Sequence, residues 1–376
     1  MCGMTLKESV GKRAFLALED GSIYEGYSFG AEDTTYGEVV FNTSMSGYQE
    51  MLTDPSYGGQ ILVLTYPLIG NYGVSDDYFE SKQVQVRGLV VREHCLTPSH
   101  WQSTGSLTEF LQTNGIPGIT GVDTRAMTRR LRSSGVMMGI LTSEMTPKEA
   151  LKELRGLPRY DSIDFVKQVA SDKKYQWKST SNDAAHTHNI VIVDMGLKYN
   201  IARILARLGC AVTVVPCVTL VEEILDLKPD GIVLSPGPGD PALLDYMTET
   251  VRKLVYQKPV MGICLGHQLI GTALGAKTFK LKFGHRGGNH PVRDLASGRV
   301  HITTQNHGYA VDADSLKGGL EVSQINLNDG TVEGLRHKEL TVISIQYHSE
   351  GSPGPQDNVY LFDRFLEMMK GKSTNG

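Results

Sequence analysis

The residues best suited to chemistry gather around one cysteine. Cys264 sits in Gly262-Ile263-Cys264-Leu265-Gly266, after the apolar run 259-PVMGI-263 and at the start of the helical pattern 265-LGHQLIGTALG-275. Two glycines around a nucleophile at a strand-to-helix junction form the elbow pattern, here with Cys in place of Ser. The glycines permit a tight turn that holds the nucleophile in a strained conformation. A free thiol, with a pKa of about 8.5, is only ~3 per cent ionised at pH 7. A helix N-terminus and a nearby imidazolium both favour the thiolate. The competing reading of an isolated Cys at a strand end is a buried structural thiol, and the GxCxG setting speaks against it.

A cysteine nucleophile needs a base, and the base needs an orienting partner. The segment 346-QYHSEGSPGP-355 supplies His348 at the end of a strand pattern and Glu350 two residues on. In extended chain, side chains two apart point to one side. His348 would carry the proton; Glu350 would fix its tautomer and stabilise the imidazolium. A third piece, 235-SPGPGDP-241, also ends a strand pattern, and its glycines let backbone N–H groups approach a ligand closely. It is not a phosphate loop of the Gly-Lys-Ser/Thr kind, because no such sequence follows.

These pieces require an open sheet whose strands end together. From residue 190 the chain alternates apolar runs (190-IVIVD-194, 211-AVTVVP-216, 231-GIVLS-235, 259-PVMGI-263) with helical patterns (198–209, 219–227, 242–256, 265–275). That alternation predicts a mostly parallel sheet with helices on both faces, with ligands at the carboxyl ends of the strands. Further strands are expected at 300–305, 320–326 and 340–348, and a closing helix at 358–370. The N-terminal half reads as α+β: strands within 14–26, 38–44 and 60–70, and helices at 107–115 and 124–135 stopped by glycine. The polar, aperiodic segment 173–188 reads as a linker between an N-terminal domain, 1–172, and a C-terminal domain, 189–376. The fold class is therefore α/β, with an α+β domain preceding it.

Composition narrows the function. Lys and Arg number 37 against 41 Asp and Glu, so the net charge is −4. This argues against nucleic-acid binding by phosphate neutralisation. No apolar run approaches 18 residues, and the first residues lack the apolar core of a signal peptide, so a cytoplasmic chain without a membrane span is expected. Five cysteines, Cys2, Cys95, Cys210, Cys217 and Cys264, form no CxxC pair, which disfavours a disulfide framework or a four-Cys zinc site. The spacings His285/His290 and His301/His307 could suggest a metal, but no Cys or paired carboxylate supports them in sequence, so no metal is expected. His186 and His188 fall in the polar segment and read as solvated. The basic helix 125–132 reads as a solvated or partner-facing surface.

The chain resembles a known family. GICLGHQ, the GPGD loop and the terminal His-x-Glu resemble the class I (triad) glutamine amidotransferases. The stretches 38-EVVFNTSMSGYQEMLTDPSY-57, 62-LVLTYPLIGNYG-73, 284-GHRGGNHPV-292, 304-TQNHGYAVD-312 and 352-SPGPQD-357 resemble, more narrowly, the small (glutaminase) subunit family of the carbamoyl-phosphate synthetases. The likeness spans about residues 14–370.

The resemblance implies that Cys264 attacks the carboxamide of L-glutamine to give a γ-glutamyl thioester and ammonia, with His348 and Glu350 completing the triad. It implies glutamine contacts from Ser56, Gly237, Gly239, Leu265, Gln268, Asn306, Gly308 and Tyr309. Backbone N–H groups of Leu265 and Gly239 would face the oxyanion. Ser56 comes from the N-terminal half, so the pocket would close across a domain interface. No cofactor is implied for this chain. The ammonia would pass in a heterodimer, or a higher oligomer of it, to a large subunit that binds ATP and Mg and makes carbamoyl phosphate from bicarbonate. The carbamoyl phosphate would serve arginine or pyrimidine synthesis. Three positions depart from the family pattern: Pro236 where Asn is usual, Ser349 where Pro is usual, and Tyr309 where Phe is common. They leave the triad side chains intact, so tuning and not loss of activity is expected. Two other readings are a stand-alone cysteine γ-glutamyl hydrolase, which would need no partner, and a docking subunit without catalysis.

Overall fold

The computed structural model describes residues 11–178 and 187–371. Cys2 and His186 lie outside them. Contacts divide the chain into two compact units, Met1–Thr53 with Gly59–Tyr160, and Asp54–Gly58 with Asp161–Gly376.

In the first unit, seven strands close into a barrel. Their order is Arg13–Leu18, Ile23–Gly30, Pro117–Thr120, Gly88–Val90, Gln60–Leu64, Thr35–Asn42 and Met137–Thr142, and the last pairs back onto the first. The predicted helices appear at Leu107–Thr113 and Thr124–Ser134. Ser106 and Glu109 form a reciprocal cap at the start of the first, and Asp123 caps the second. In the second helix Met127 and Leu131 are buried, while Arg125, Arg129, Arg130 and Arg132 are exposed. Arg130 pairs with Asp20 at 2.7 Å. A further helix, Pro147–Leu154, has its own Thr146/Glu149 capping box.

The second unit holds a ten-stranded sheet. Its order is Tyr175–Gln176, Cys210–Pro216, His188–Asp194, Gly231–Leu234, Val260–Ile263, Val342–Ile345, Val332–His337, Leu320–Asn326, Thr278–Asp294 and Val300–Val311. The five strands from Cys210–Pro216 to Val342–Ile345 are mutually parallel; the flanking ones are antiparallel. Successive residues of the central strand face opposite ways, as the two-residue period demands. Val191 and Val193 join a core with the helices Val221–Asp226, Asp245–Leu254 and Leu265–Ala273. Ile190 and Ile192 join another with the helices Tyr199–Arg207 and Tyr360–Met369. Both faces are thus covered, which is why the strands read as continuous apolar runs.

The polar segment differs from its sequence reading. Tyr175–Gln176 forms an edge strand paired with Val214 and Thr213, and His188 is the first residue of a strand, not a solvated linker residue. Tyr175 and Trp177 pack against the second core. A two-residue strand is too short to show a period, so the pattern gave no sign of it. Residues 179–186 lie outside the described residues.

Candidate active site

Three neighbouring parallel strands end at the site. Gly231–Leu234 leads into 235-SPGPGD-240, Val260–Ile263 into Cys264, and Val342–Ile345 into His348. Cys264 has φ 53° and ψ −103°, a left-handed conformation rare for a residue with a Cβ. Its N–H donates to Ile345 O at 2.8 Å, tying the elbow to the adjacent strand. The flanking glycines are required by space. A Cβ at Gly266 would lie 2.4 Å from Leu234 O, and one at Gly262 would lie 2.7 Å from the Gly266 backbone. The strain expected from the motif is therefore present, and the nucleophile is only 2% exposed. The thiol points to Asn306 O, and Gln346 Nε2 donates to the sulfur, each at 3.7 Å.

His348 Nδ1 bonds Glu350 Oε1 at 2.7 Å, and both side chains are buried. His348 N–H donates to Thr304 O, which fixes the backbone that carries the ring. Nε2 is the atom left for a reacting proton, and the Cys264 thiol lies close enough to the ring to favour its charged form. Burial is the largest influence and, with Lys198, opposes charge on the ring; the Glu350 carboxylate and the Cys264 thiol beside it together outweigh them, so His348 sits above the ordinary histidine range. Burial would raise Glu350, yet Lys198 and His348 pull its carboxyl below the usual range.

Lys198 was not singled out from sequence. Its Nζ lies 3.1 Å from Glu350 Oε1 and donates to Gly351 O at 2.9 Å, while Asn200 Nδ2 donates to Glu350 O at 2.6 Å. The residue follows the strand His188–Asp194, so its place at a carboxyl strand end was the available signal.

Of the eight residues expected to hold glutamine, most converge. Gln268 Nε2 donates to Tyr309 O at 2.8 Å and to Gln346 Oε1 at 3.1 Å. Asn306 Nδ2 donates to Asp54 Oδ2 at 3.0 Å, and Asp54 Oδ1 accepts from Ser56 N at 2.9 Å. Ser56 is therefore brought to the site by Asp54. By its contacts Asp54–Gly58, with Ser56, groups with the second unit, as do the other seven residues. The Ser56 hydroxyl is buried without a hydrogen-bond partner among the described residues. Gly237 abuts Met195 O, where a Cβ would come within 2.3 Å, and Gly239 has φ 96°. Leu265 opens the helix after the nucleophile. At Gly308 a Cβ would meet only Arg286, at 3.5 Å, so space does not demand glycine there. Pro236 O accepts from Ser235 Oγ, which in turn receives Met195 N–H. Ser349 is fully buried, and among the described residues its hydroxyl has no hydrogen-bond partner.

The histidines expected in pairs regroup. His301 packs on Tyr360, while His307 and His290 both lie against His285. The nearby carboxylates, absent from the sequence argument, are Glu333 and Asp329. Ligand atoms of His285, His307 and Glu333 lie within 4.8 Å of one another, close enough for a metal. However, both nitrogens of His307 and both oxygens of Glu333 already have protein partners. Cys210 and Cys217 are buried in the strand region, and burial raises both thiols, in keeping with structural roles.

Residues 16–141 match the family model for the carbamoyl-phosphate synthase small chain, CPSase domain, and residues 191–368 match that for the class-I glutamine amidotransferases. The carbamoyl phosphate synthase small chain of Akkermansia muciniphila is 51% identical, over 95% of this chain and 97% of the relative. This chain belongs to the carbamoyl-phosphate synthase small-chain family. The small chain of Aquifex aeolicus is 49% identical over 96% of this chain and 100% of its own. That of Listeria monocytogenes is 52% identical over 96% and 98%. The second family match covers all three strand ends of the site, so Cys264, His348 and Glu350 fall within the amidotransferase domain of this small chain.

Proposed function

We propose that the chain hydrolyses L-glutamine to glutamate and ammonia, as the glutaminase subunit of a carbamoyl-phosphate synthetase. The observation that carries this reading is Cys264 strained at an elbow between strands that also deliver the His348–Glu350 pair. The sulfur attacks the carboxamide carbon, and the proton taken by His348 returns through Nε2 to the departing nitrogen. Ammonia leaves and a γ-glutamyl thioester remains. Water then adds with His348 as base, glutamate departs, and the thiol is restored. Backbone N–H groups of Leu265 and Gly239 face the developing oxyanion, and Ser56, Gln268, Asn306 and Tyr309 hold the substrate.

The ammonia goes to a large subunit in a heterodimer, where ATP and Mg support carbamoyl phosphate formation from bicarbonate. Among the described residues no helix is long and apolar enough to cross a membrane, and the proposed setting is the cytoplasm. The test is glutamate release from glutamine by the purified chain, alone and with the large subunit, ATP and bicarbonate. Slow release alone with strong stimulation by the complete mixture is the expected result. Fast release that ignores the partner would replace this reading with a stand-alone γ-glutamyl hydrolase.

A further inference from the structure

Beside the glutamine residues lies a buried polar array whose hydrogen-bond count admits few protonation states. Thr303, Gln305 and Glu333 are fully buried, and His307 and His285 are 5% and 6% exposed. The Thr303 hydroxyl gives its single proton to His290 O, at 2.9 Å. It must therefore accept from Gln305, whose Nε2 lies 3.0 Å away. This fixes the amide: its NH2 also donates to Glu333 Oε2 at 2.9 Å, and its Oε1 faces His307 Nε2 at 2.9 Å. Two acceptors cannot bond each other, so Nε2 carries a proton. Nδ1 carries another, because it donates to Tyr309 O at 2.8 Å. Glu333 is fixed in the same way: Asn328 N–H bonds Asn326 Oδ1, which turns the Asn326 NH2 onto Glu333 Oε1 at 2.8 Å.

The surroundings of His307 are otherwise unfavourable to charge. Burial, then His285, Arg286 and His290 on the neighbouring strand, all drive it towards the neutral ring. Asp329 is engaged by His285 at 2.8 Å. Glu333 on the strand Val332–His337 serves both rings: its Oε1 lies 3.5 Å from His285 Nδ1, and its Oε2 reaches His307 through the Gln305 amide.

We propose that Glu333 is a positioning residue for glutamine hydrolysis: through the Gln305 amide it holds His307 as an imidazolium, whose Nδ1–H fixes the Tyr309 carbonyl and with it Gln268. The same carbonyl receives Gln268 Nε2, Gln268 bonds Gln346, and Gln346 reaches Cys264 Sγ. The array thus ends on Tyr309 and Gln268, two of the residues proposed to hold the substrate. This inference rests on the glutaminase reading for its kinetic half only; the protonation state stands apart from it.

The experiment is nitrogen NMR of the full chain labelled at histidine side chains, with His307 assigned by comparison with His307→Gln. At pH 7.5 both ring nitrogens of His307 are expected in the protonated form. Glu333→Gln should leave Nε2 unprotonated and raise the KM for glutamine about tenfold, the scale of one charge-assisted hydrogen bond, with kcat little changed. Because the protonated ring aids binding, the rise of KM with pH should begin at lower pH in Glu333→Gln, and Glu333→Asp should recover part of the loss. A neutral His307 in the wild-type spectrum overturns the proposal, and that spectrum needs no variant to fold. So does an unchanged KM in folded Glu333→Gln, or a stoichiometric metal in the purified wild type that the variant loses. If the chain hydrolyses no glutamine, the spectrum still decides the protonation state, so the two failures are distinguishable.

Discussion

Lys198 Nζ and Glu350 Oε1 meet at 3.1 Å in a contact where neither side chain is more than 1% exposed. The carboxylate oxygen that orients His348 is therefore shared with a buried ammonium. Burial would push Glu350 towards its neutral form, and a neutral carboxyl would no longer stabilise an imidazolium; Lys198 is the largest influence keeping it ionised. The site uses an ion pair behind the triad to hold the charge that the triad needs.

Replacing Lys198 with Met should accordingly raise the Glu350 pKa. Glu350 is depressed in the folded chain, so its contribution is present above the ordinary carboxyl pKa and fades as pH falls through the folded value. In Lys198→Met that fading begins at higher pH. The acid limb of kcat/KM for glutamine should move upward, with a loss of about ten- to a hundredfold near neutrality, the range typical of general acid–base assistance. A pH–rate profile of both proteins checks this, and an unmoved acid limb would contradict it.

The elbow makes a steric prediction. A methyl group at Gly266 would sit 2.4 Å from Leu234 O, against backbone that cannot yield as a flexible side chain can. Gly266→Ala should cost about 1–3 kcal/mol of stability as overpacking does. It should lower kcat more than it raises KM, because Cys264 moves relative to His348. Urea unfolding and steady-state kinetics on the same sample separate the two effects.

What the sequence disclosed and what it concealed follow from distance along the chain. Cys264 with its glycines, and His348 with Glu350, each lie within one short motif after a strand end, so local pattern located them; yet His348 and Glu350 meet across a turn closed by Gly351 N–H on His348 O, not along the extended segment expected. Lys198 reaches Glu350 only because the strands His188–Asp194 and Val342–Ile345 belong to one parallel sheet, and no local pattern joins the two residues. The strand Thr278–Asp294 shifts register between Lys280 and His285 and again between Gly287 and His290. Those bulges break the two-residue period, which is why His285, His307 and Glu333 could not be placed on one face beforehand. The barrel was hidden for a related reason: Gly88–Val90 and Pro117–Thr120 are too short to reveal alternation. Ser56 joined the site through Asp54 and Asn306, a buried contact between segments far apart in sequence.

Ser349 offers a test of stability without chemistry. Its hydroxyl is buried and unbonded where the family pattern has Pro, a residue with no hydroxyl to satisfy. Leaving such a group unpaired costs about 1–3 kcal/mol. Ser349→Ala should therefore be neutral or stabilising, by up to about 1 kcal/mol once the lost packing of the oxygen is counted. Denaturant midpoints of the two proteins decide the matter; a marked destabilisation would mean that the hydroxyl bonds an ordered water or the substrate.

The ion pair of His285 and Asp329 should give the fold a pH signature of its own. Burial lowers His285, but Asp329 at 2.8 Å and then Glu333 outweigh it and push the ring up to about 9. Burial raises Asp329, and the bond from His285 brings it down to about 2. A histidine raised in this way contributes fully below about pH 6.5 and loses its contribution as pH climbs through about 9. Asp329 contributes above about 3.8 and is lost only towards about 2. The pair is therefore complete from about pH 4 to 6.5. The Asp329 side chain is 39% exposed, so solvent screens the pair. Asp329→Asn should cost about 1 kcal/mol at pH 6 and little at pH 9.5. Thermal melts of both proteins across that range should converge as the pH rises, and a gap that stayed constant would place the stabilisation in packing and not in charge.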